Sequence, residues 1–446
     1  MALHTLDNIK GAILAATPPL GYADTVDPAM PTLETRLCRH RRPSYADTGD
    51  RVIIRAMSDL AEPFRQLSTL LHRTRGDWQH TPFACRELPW PELTPALMAL
   101  DEAQLDALDE DDVAALAFFA PLRPDTVAAH HYRLPELERA ADYATPRWSN
   151  GIPGRKWAQI KDFAANITAE HPILEWCAGK GHLGRLLAQQ AASSVTSLEW
   201  NADLCRQGEQ LAEQLTLDHH FVCADALSAD AARLFRPEQQ ALALHACGEL
   251  HLRFLRHAAA AGTRRLALSP CCYHLIDGER YRPLSTAGRQ QDLQLDRQSL
   301  RLPLQQQVTG GERVRRLRHI ELSWRLAFDE LQQQLTGSRR YLPLPSFPKR
   351  LLSGDFAGFA RWACEQKALP VPDDIDSTRW LQRAEARRLL VKRIELVRHR
   401  YRYLLELWLL LDRALYLEEK GYRVTLGTFT AESNTPRRYL LQASRS

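Results

Sequence analysis

The sequence lacks a hydrophobic run long enough to cross a membrane. A membrane-spanning helix needs roughly 20 consecutive apolar residues, whereas the longest apolar stretch in a predicted helix, Leu404 to Leu411, is short and contains Glu406. The first twenty residues also lack the basic start and continuous apolar segment of a secretory signal. We therefore expect a protein that is neither membrane-inserted nor secreted.

Cysteine is scarce and shows no framework. Nine cysteines lie at irregular spacings among 446 residues, and an odd number without a repeating pattern favours reduced thiols over disulfides. Apolar residues make up 45% of the chain, charged residues 25% and aromatics only 8%, which excludes bulk disorder. We expect a cytoplasmic globular protein of roughly three structural units.

Charge is distributed unevenly along the chain. The formal net charge is +4, but residues 1–278 carry 27 Lys and Arg against 35 Asp and Glu, whereas the remainder carries 31 against 19. A basic C-terminal part can bind a polyanion such as nucleic acid, although arginine-rich exposed helices are also common without such a partner.

Residues 1–140 have the apolar periodicity of helices. The acidic run Asp106 to Asp112 predicts a helix cap and a solvated face. A zinc site is an alternative for this region, but the spacing of its cysteines and histidines matches no compact finger: Cys38, His40, His80 and Cys85.

From Trp148 the pattern changes to short apolar runs that alternate with helical segments, which predicts an α/β fold with a doubly wound parallel sheet. The first helix is predicted over Lys156 to Ala169. Five strands are predicted at Ile173–Trp176, Val195–Leu198, His220–Cys223, Gln240–His245 and Arg265–Ser269.

The end of the chain predicts one long helix followed by a β-hairpin. Apolar residues repeat at three-to-four spacing from Leu390 to Leu415, a stripe of about thirty residues, and extended segments follow at Tyr422–Thr430 and Arg438–Ala443. We expect residues 386–446 to complete the sheet begun by residues 141–275, so that residues 276–385 form an insertion.

A glycine loop follows the first predicted strand. Gly179 and Gly181 allow positive φ, and the helix that follows presents its N-terminus, so the loop can hold a nucleotide. With Gly184, and with Glu199 twenty residues beyond Gly179, the spacing also fits the fingerprint of an NAD-binding oxidoreductase.

Acidic residues at three successive strand ends favour S-adenosylmethionine over a dinucleotide. Glu175 would oppose a pyrophosphate but suits the cationic amino-acid part of the methyl donor, Glu199 can bind both ribose hydroxyls, and Asp225 can accept from the adenine amine. The structural alternative is that these carboxylates only cap helices.

Two further motifs, Leu244–Leu250 and Leu268–His274, end the fourth and fifth strands, where α/β sheets bind ligands. The Asn/Asp-Pro-Pro-aromatic run usual for methylation of a base amine is absent, and a histidine there can act as a general base. The catalytic candidates are His245, Cys271, Cys272, Tyr273 and His274. Three alternatives remain for the cysteines and the histidine of these motifs: a zinc site, a nucleophilic thiolate or simple burial. The residues concerned are Cys247, Cys271, Cys272 and His274. We assign no metal ligand from the sequence.

Three motifs carry a family resemblance. Cys-Ala-Gly-Lys-Gly-His-Leu (177–183), Leu-His-Ala-Cys-Gly-Glu-Leu (244–250) and Ser-Pro-Cys-Cys-Tyr-His (269–274) resemble the class I, Rossmann-like methyltransferase domain of the methyltransferase-like 25 group. That group includes proteins labelled ribosomal RNA adenine dimethylase domain-containing. More distantly, the motifs are similar to acceptor-stem tRNA 2′-O-methyltransferases. The resemblance covers about residues 145–275 and 386–446.

The resemblance implies a methyltransferase that uses S-adenosylmethionine and acts on tRNA or rRNA, at a hydroxyl or a base nitrogen. Its implied cofactor-binding residues are Glu175, Cys177, Gly179, Gly181, Glu199, Asp225 and His245, with Cys177 replacing the first loop glycine of many class I enzymes. Lys156 matches a basic element before the first strand.

Cations in the C-terminal part are the candidate RNA contacts. One cluster consists of Arg313, Arg315, Arg316 and Arg318, and the long helix adds Arg388, Lys392, His399 and Arg402. The alternatives are a solvated helix face, a methyltransferase acting on protein or a small molecule, and a non-catalytic scaffold that binds the methyl donor.

Overall fold

The computed structural model describes residues 60–305, 312–345, 347 and 349–445, so Cys38 and His40 lie outside the described residues. Its α-helices are Ala61–Arg73, Arg75–Trp78, Thr94–Met98, Glu102–Glu110, Asp112–Phe119, Pro124–Ala129, Gly154–Ala165, His182–Gln190, Ala202–Gln214, Glu249–Ala261, Thr286–Gln290, Glu312–Thr336, Phe356–Gln366, Ser377–His399 and Arg402–Glu419. Short 3-10 turns occur at Pro82–Ala84, Arg147–Ser149, Ala229–Leu234, Ser299–Gln305 and Lys349–Ser353. None of the helices in the described ranges is both long and apolar enough to cross a bilayer.

A seven-stranded sheet organises the molecule, in the order β3-β2-β1-β4-β5-β7-β6. The strands are β1 Ile173–Trp176, β2 Val195–Glu199, β3 His219–Cys223, β4 Gln240–Cys247, β5 Arg265–Cys271, β6 Arg423–Thr428 and β7 Tyr439–Ser444. The first five are parallel, and β7 is antiparallel to both β5 and β6. The predicted α/β fold is confirmed, and the C-terminal hairpin completes the sheet.

Helices cover both faces of this sheet, which explains why its strands are apolar throughout. Leu174 and Trp176 of β1 pack towards Glu249–Ala261 and Arg402–Glu419, while Ile173 packs towards Gly154–Ala165 and His182–Gln190. Because β1 to β5 are parallel, their carboxyl ends meet at one edge of the sheet. The motifs found in the sequence follow those strand ends.

The predicted thirty-residue helix is in fact two helices, Ser377–His399 and Arg402–Glu419, which is a correction. The apolar stripe does not reveal the break because its residues are buried in both helices. The two halves of the stripe pack in different hydrophobic clusters. Ile394 packs with the N-terminal helices, whereas Trp408 packs in the sheet core. The first helix also runs through position 385, where the predicted insertion ends.

The acidic run Asp106 to Asp112 contains the predicted helix cap, because Asp111 accepts from Val113 N and Ala114 N at the start of the helix Asp112–Phe119. Asp106 and Asp112 are exposed, as expected of a solvated face, but the run also makes ion pairs within the chain, which the sequence did not predict. Lys392 Nζ lies 2.6 Å from Asp106 Oδ1, and Arg402 Nη2 lies 2.6 Å from Asp109 Oδ1. His399 also bonds Asp109. These contacts join the N-terminal helices to the C-terminal pair.

Arg388 belongs to the same interface. Both of its terminal nitrogens donate to Glu102, at 2.5 Å each, and these bonds lower the pKa of Glu102 to about 2. The residues expected to follow phosphates along these two helices are therefore bound to carboxylates of the same chain: Arg388, Lys392, His399 and Arg402.

Candidate active site

The glycine loop after β1 is a left-handed turn. Cys177, Gly179 and Gly181 have φ of 58°, 60° and 63°. A Cβ at Gly179 would meet nothing within 4 Å, whereas a Cβ at Gly181 would lie 2.5 Å from the Phe221 ring. The backbone at Gly179 thus faces space that a ligand can fill, while Gly181 is needed for packing against β3.

Glu199 links this loop to the end of β2. The side chain is buried, and its Oε2 accepts from Gly179 N at 2.9 Å while Oε1 accepts from Asn201 N at 3.0 Å. An ionised carboxylate has about four acceptor positions, so two remain for ribose hydroxyls. Asp225, in the turn after β3, accepts from Leu227 N at 2.9 Å. Both carboxylates lie at the strand ends beside the glycine loop, and their contact with the methyl donor's nucleoside stays a prediction.

Glu175 lies behind the loop. It is 4% exposed, Ser197 Oγ donates to its Oε2 at 2.7 Å, and Gly184 N also donates to it. Burial raises the pKa of Glu175 to about 7. Its visible role is to hold the loop against the helix His182–Gln190, and its contact with the donor's ammonium stays a prediction.

His219 extends this buried chain of hydrogen bonds. Its Nε2 lies 2.7 Å from Ser197 Oγ. Because the single Ser197 hydroxyl proton goes to Glu175, the imidazole must donate and is neutral with the proton on Nε2. Burial lowers the pKa of His219 to about 3.

Replacing His219 with glutamine should make the protein less sensitive to acid. The unfolded chain binds a proton at this histidine below about pH 6.5, whereas the folded protein resists until about pH 3, so stability falls as the pH drops through this window. We therefore compare the unfolding free energies of wild type and His219→Gln. As the pH falls below about 6.5, the free energy of wild type should decrease relative to that of the variant by about 1.4 kcal/mol per pH unit. Urea titrations from pH 7 to 4 measure it, and parallel curves for the two proteins would contradict this account.

His245 lies at a bulge in β4, with φ of 61°. Its Nε2 lies 2.6 Å from Gln159 Oε1, and Gln159 Nε2 donates to Asn434 O at 3.0 Å. The amide oxygen must therefore face the imidazole, which carries its proton on Nε2. Burial, with Arg437 and Lys156 nearby, lowers the pKa of His245 to about 4, so the ring is neutral at pH 7.

Sequence reasoning missed Gln159. The available signal was its position on the helix before β1, one turn after Lys156. Lys156 itself is exposed and lies within electrostatic reach of both Glu175 and His245.

The cysteines of the two strand ends converge. Cys247 and Cys271 are register partners on β4 and β5, with Sγ atoms 3.1 Å apart. The Sγ atoms of Cys247, Cys271 and Cys272 all lie within 4.8 Å of one another. Hydrogen bonds from the other two thiols lower the pKa of Cys272, which favours its thiolate.

Tyr273 does not face this edge, contrary to the sequence-based prediction. It is 1% exposed, its hydroxyl donates to Glu406 Oε1 at 3.0 Å, and the Arg413 guanidinium carbon lies 5.2 Å from its ring centroid. Tyr273 is a core residue, so it has no exposed face on which a substrate can stack.

His274 stays at the edge. Burial and the positive charge of Arg301 lower its pKa to about 4, and Arg297 and Arg437 act in the same direction. Its Nδ1 is buried, with no hydrogen-bond partner among the described residues. Several cations therefore lie within electrostatic reach of His245 and His274, and Cys272 acts on both histidines in the opposite direction.

The arginine cluster lies on the helix Glu312–Thr336, where Arg313, Arg316 and Arg318 are exposed and Arg315 occupies the same segment. The structure does not bring these residues into contact with the cysteines. The helix begins seven residues after Gln305, and Arg437 Nη2 donates to Leu304 O at 2.8 Å. Seven residues span at most about 25 Å, which limits the distance from the cluster to the site.

Comparison with known proteins identifies the class of this domain. Residues 155–279 match the family model described as a methyltransferase domain. With the sheet order and the glycine loop, this match defines a class I methyltransferase that depends on S-adenosylmethionine. No curated protein matches the sequence.

Solved structures show only distant likeness. An rRNA methylase from Streptococcus thermophilus has 14% identity, covering 26% of this chain and 70% of its own, with a TM-score of 0.21. The magnesium protoporphyrin IX methyltransferase of Synechocystis PCC 6803 with bound SAH has 13% identity, coverages of 75% and 100%, and a TM-score of 0.29. The CcbJ methyltransferase of Streptomyces caelestis has 17% identity, coverages of 26% and 52%, and a TM-score of 0.22. Their substrates say nothing about the substrate of this chain.

Proposed function

We propose that the enzyme methylates RNA, either tRNA or rRNA, at a hydroxyl or a base nitrogen. The observation that carries this proposal is the positive charge at one place in the sheet. We call this place the acceptor edge: the carboxyl ends of β4 and β5, with His245 and His274. Lys156 and Arg437 lie within electrostatic reach of His245, and Arg297, Arg301 and Arg437 lie within reach of His274. Cys272 acts on both histidines in the opposite direction. Clustered cations of this kind suit a phosphate backbone better than a neutral small molecule.

His245 is the candidate base for the transfer. Its Nε2 donates to Gln159, so the lone pair of a neutral imidazole is on Nδ1. That nitrogen can accept the proton which an acceptor hydroxyl or amine loses as it takes the methyl group. Because Gln159 fixes the tautomer, it is a positioning residue for this step.

The resemblance of the three motifs to the methyltransferase-like 25 group and to tRNA 2′-O-methyltransferases supports the same substrate class. We place the protein in that group and in the cytoplasm, where its cysteines would remain reduced.

A labelling experiment tests the substrate class. Purified protein is incubated with methyl-labelled S-adenosylmethionine and an extract from cells that lack the gene, and the products are digested separately with RNase and protease. We expect RNase alone to release the label. Release by protease alone, or label only in small molecules, would contradict the proposal.

The arginine cluster gives a second test. We expect Arg313→Ala, Arg316→Ala and Arg318→Ala combined to weaken RNA binding and to lower the slope of log K against log salt by roughly 2 to 3, about 0.7–0.9 for each lost phosphate contact. Binding is measured by fluorescence anisotropy at several salt concentrations. The charge-matched control replaces Arg264, Arg423 and Arg445, which lie at the opposite edge of the sheet. Equal slopes for the two triple variants would exclude the cluster as an RNA contact.

A further inference from the structure

The three thiols at the acceptor edge meet because the backbone is strained there. Side chains of successive residues in a strand point to opposite faces, yet the thiols of Cys271 and Cys272 reach the same point. Cys272 has φ of 46°, a conformation that costs a non-glycine residue of order 1–3 kcal/mol. This turn also brings both thiols to Cys247 on the neighbouring strand.

We propose that Cys247, Cys271 and Cys272 bind a thiophilic divalent metal ion, Zn²⁺ by preference, with His274 as the fourth ligand. Zn²⁺ takes cysteine and histidine in tetrahedral sets of this composition, and a Zn–S length of about 2.3 Å separates the sulfurs by about 3.8 Å. The three Sγ atoms already lie within 4.8 Å of one another, and Cys247 and Cys271 would move apart from their present 3.1 Å.

His274 is chosen because its Nδ1 is buried without a partner among the described residues. A buried polar nitrogen is normally satisfied, and a metal ion would satisfy this one. His274 follows Cys272 by two residues and interacts with it electrostatically. Its nitrogen lies outside the cluster of the three sulfurs, so a rotation of the side chain must bring it to the metal ion.

The charge of the surroundings fits such a site. Three thiolates and Zn²⁺ carry a net charge of −1, and Arg437 interacts with both Cys247 and Cys272. On binding, each Zn–S bond replaces an S–H bond for every cysteine that was protonated, and the released protons go to solvent. Affinity should therefore increase with pH.

Four protein ligands leave no open position, so the ion would be structural. It would join the carboxyl ends of β4 and β5, two residues from His245, and hold the acceptor edge in shape. The inference does not depend on the nature of the acceptor.

Metal analysis of the full-length protein tests the proposal. We expect one zinc per chain after purification under reducing conditions, released by a thiol-specific mercurial. Cys247→Ser, Cys271→Ser and Cys272→Ser should lose the zinc, and His274→Ala should bind it more than about tenfold more weakly, as one ligand among four. The matched control is Cys364→Ser, a buried cysteine in the helix Phe356–Gln366, which should keep it.

Cobalt binding to the wild-type protein tests the same site without any substitution, so it gives an answer even if a cysteine variant fails to fold. Wild-type apoprotein titrated with Co²⁺ should show the thiolate-to-cobalt charge-transfer band and the intense visible bands of tetrahedral cobalt. Absence of both zinc and these bands would overturn the proposal. Full zinc content in the cysteine variants, or a Cys247–Cys271 disulfide in freshly purified protein, would overturn it equally.

Discussion

Replacing Glu199 with alanine is expected to weaken the binding of S-adenosylmethionine by about 10–100-fold, the effect of losing 1.5–3 kcal/mol of charged hydrogen bonds. The carboxylate accepts from Gly179 N and from Asn201 N, so it fixes the loop and keeps two further acceptor positions for the predicted contact with the ribose. Isothermal titration calorimetry measures the change.

Asp203→Ala is the matched control. Asp203 lies four residues further on, is exposed, and pairs only with the exposed Arg206 in the same helical turn. Such pairs contribute little, so the variant removes the same charge without changing the loop. Equal affinities for Glu199→Ala and wild type, with both proteins folded, would show that β2 does not carry the ribose ligand.

The glycine loop was predictable because its determinants are local. A strand, two glycines and a helix start lie within a dozen residues, and each residue type has a direct conformational meaning. The positions of Glu199 and Asp225 followed from the rule that parallel strands end at one edge. The prediction that β6 and β7 complete the sheet came from the pattern of a final helix and two extended segments, with support from the motif resemblance. It is confirmed by the pairing of β7 with β5 and of β6 with β7.

Contacts between distant segments were not predictable. The acidic run and the arginine helix are separated by nearly three hundred residues, and nothing local in either segment names its partner. Each was therefore interpreted as solvated or as a site for phosphate. The hydrogen bond that His245 donates to Gln159 was missed for the same reason.

Side-chain direction at a strand end was the other failure. Alternation assigns faces only while the chain remains extended, and at Cys272 it does not, because φ there is 46°. The chain turns Tyr273 back towards Glu406 and leaves the thiols at the edge. A tyrosine in this motif therefore packs in the core, although its neighbours in sequence form the site.

Asp412→Ala is expected to lower the free energy of unfolding by about 3–5 kcal/mol, because several buried donors lose their acceptor at a cost of about 1–3 kcal/mol each. Asp412 is fully buried in the helix Arg402–Glu419. Its carboxylate accepts from Tyr281 Oη at 2.5 Å, Leu284 N at 2.9 Å, Ser285 N at 3.0 Å and Ser285 Oγ at 2.7 Å. Alanine would leave these donors unsatisfied in the core, and urea denaturation measures the cost.

Glu419→Gln provides the comparison, because Glu419 accepts from Thr286 N and Thr286 Oγ1 at the exposed end of the same contact. We expect a loss within about 1 kcal/mol there. Since the 281–285 segment does not line the glycine loop, folded Asp412→Ala should bind S-adenosylmethionine as tightly as wild type. A loss below about 1 kcal/mol for Asp412→Ala would mean that water replaces the carboxylate, and a fall in cofactor affinity would mean that this contact also shapes the loop.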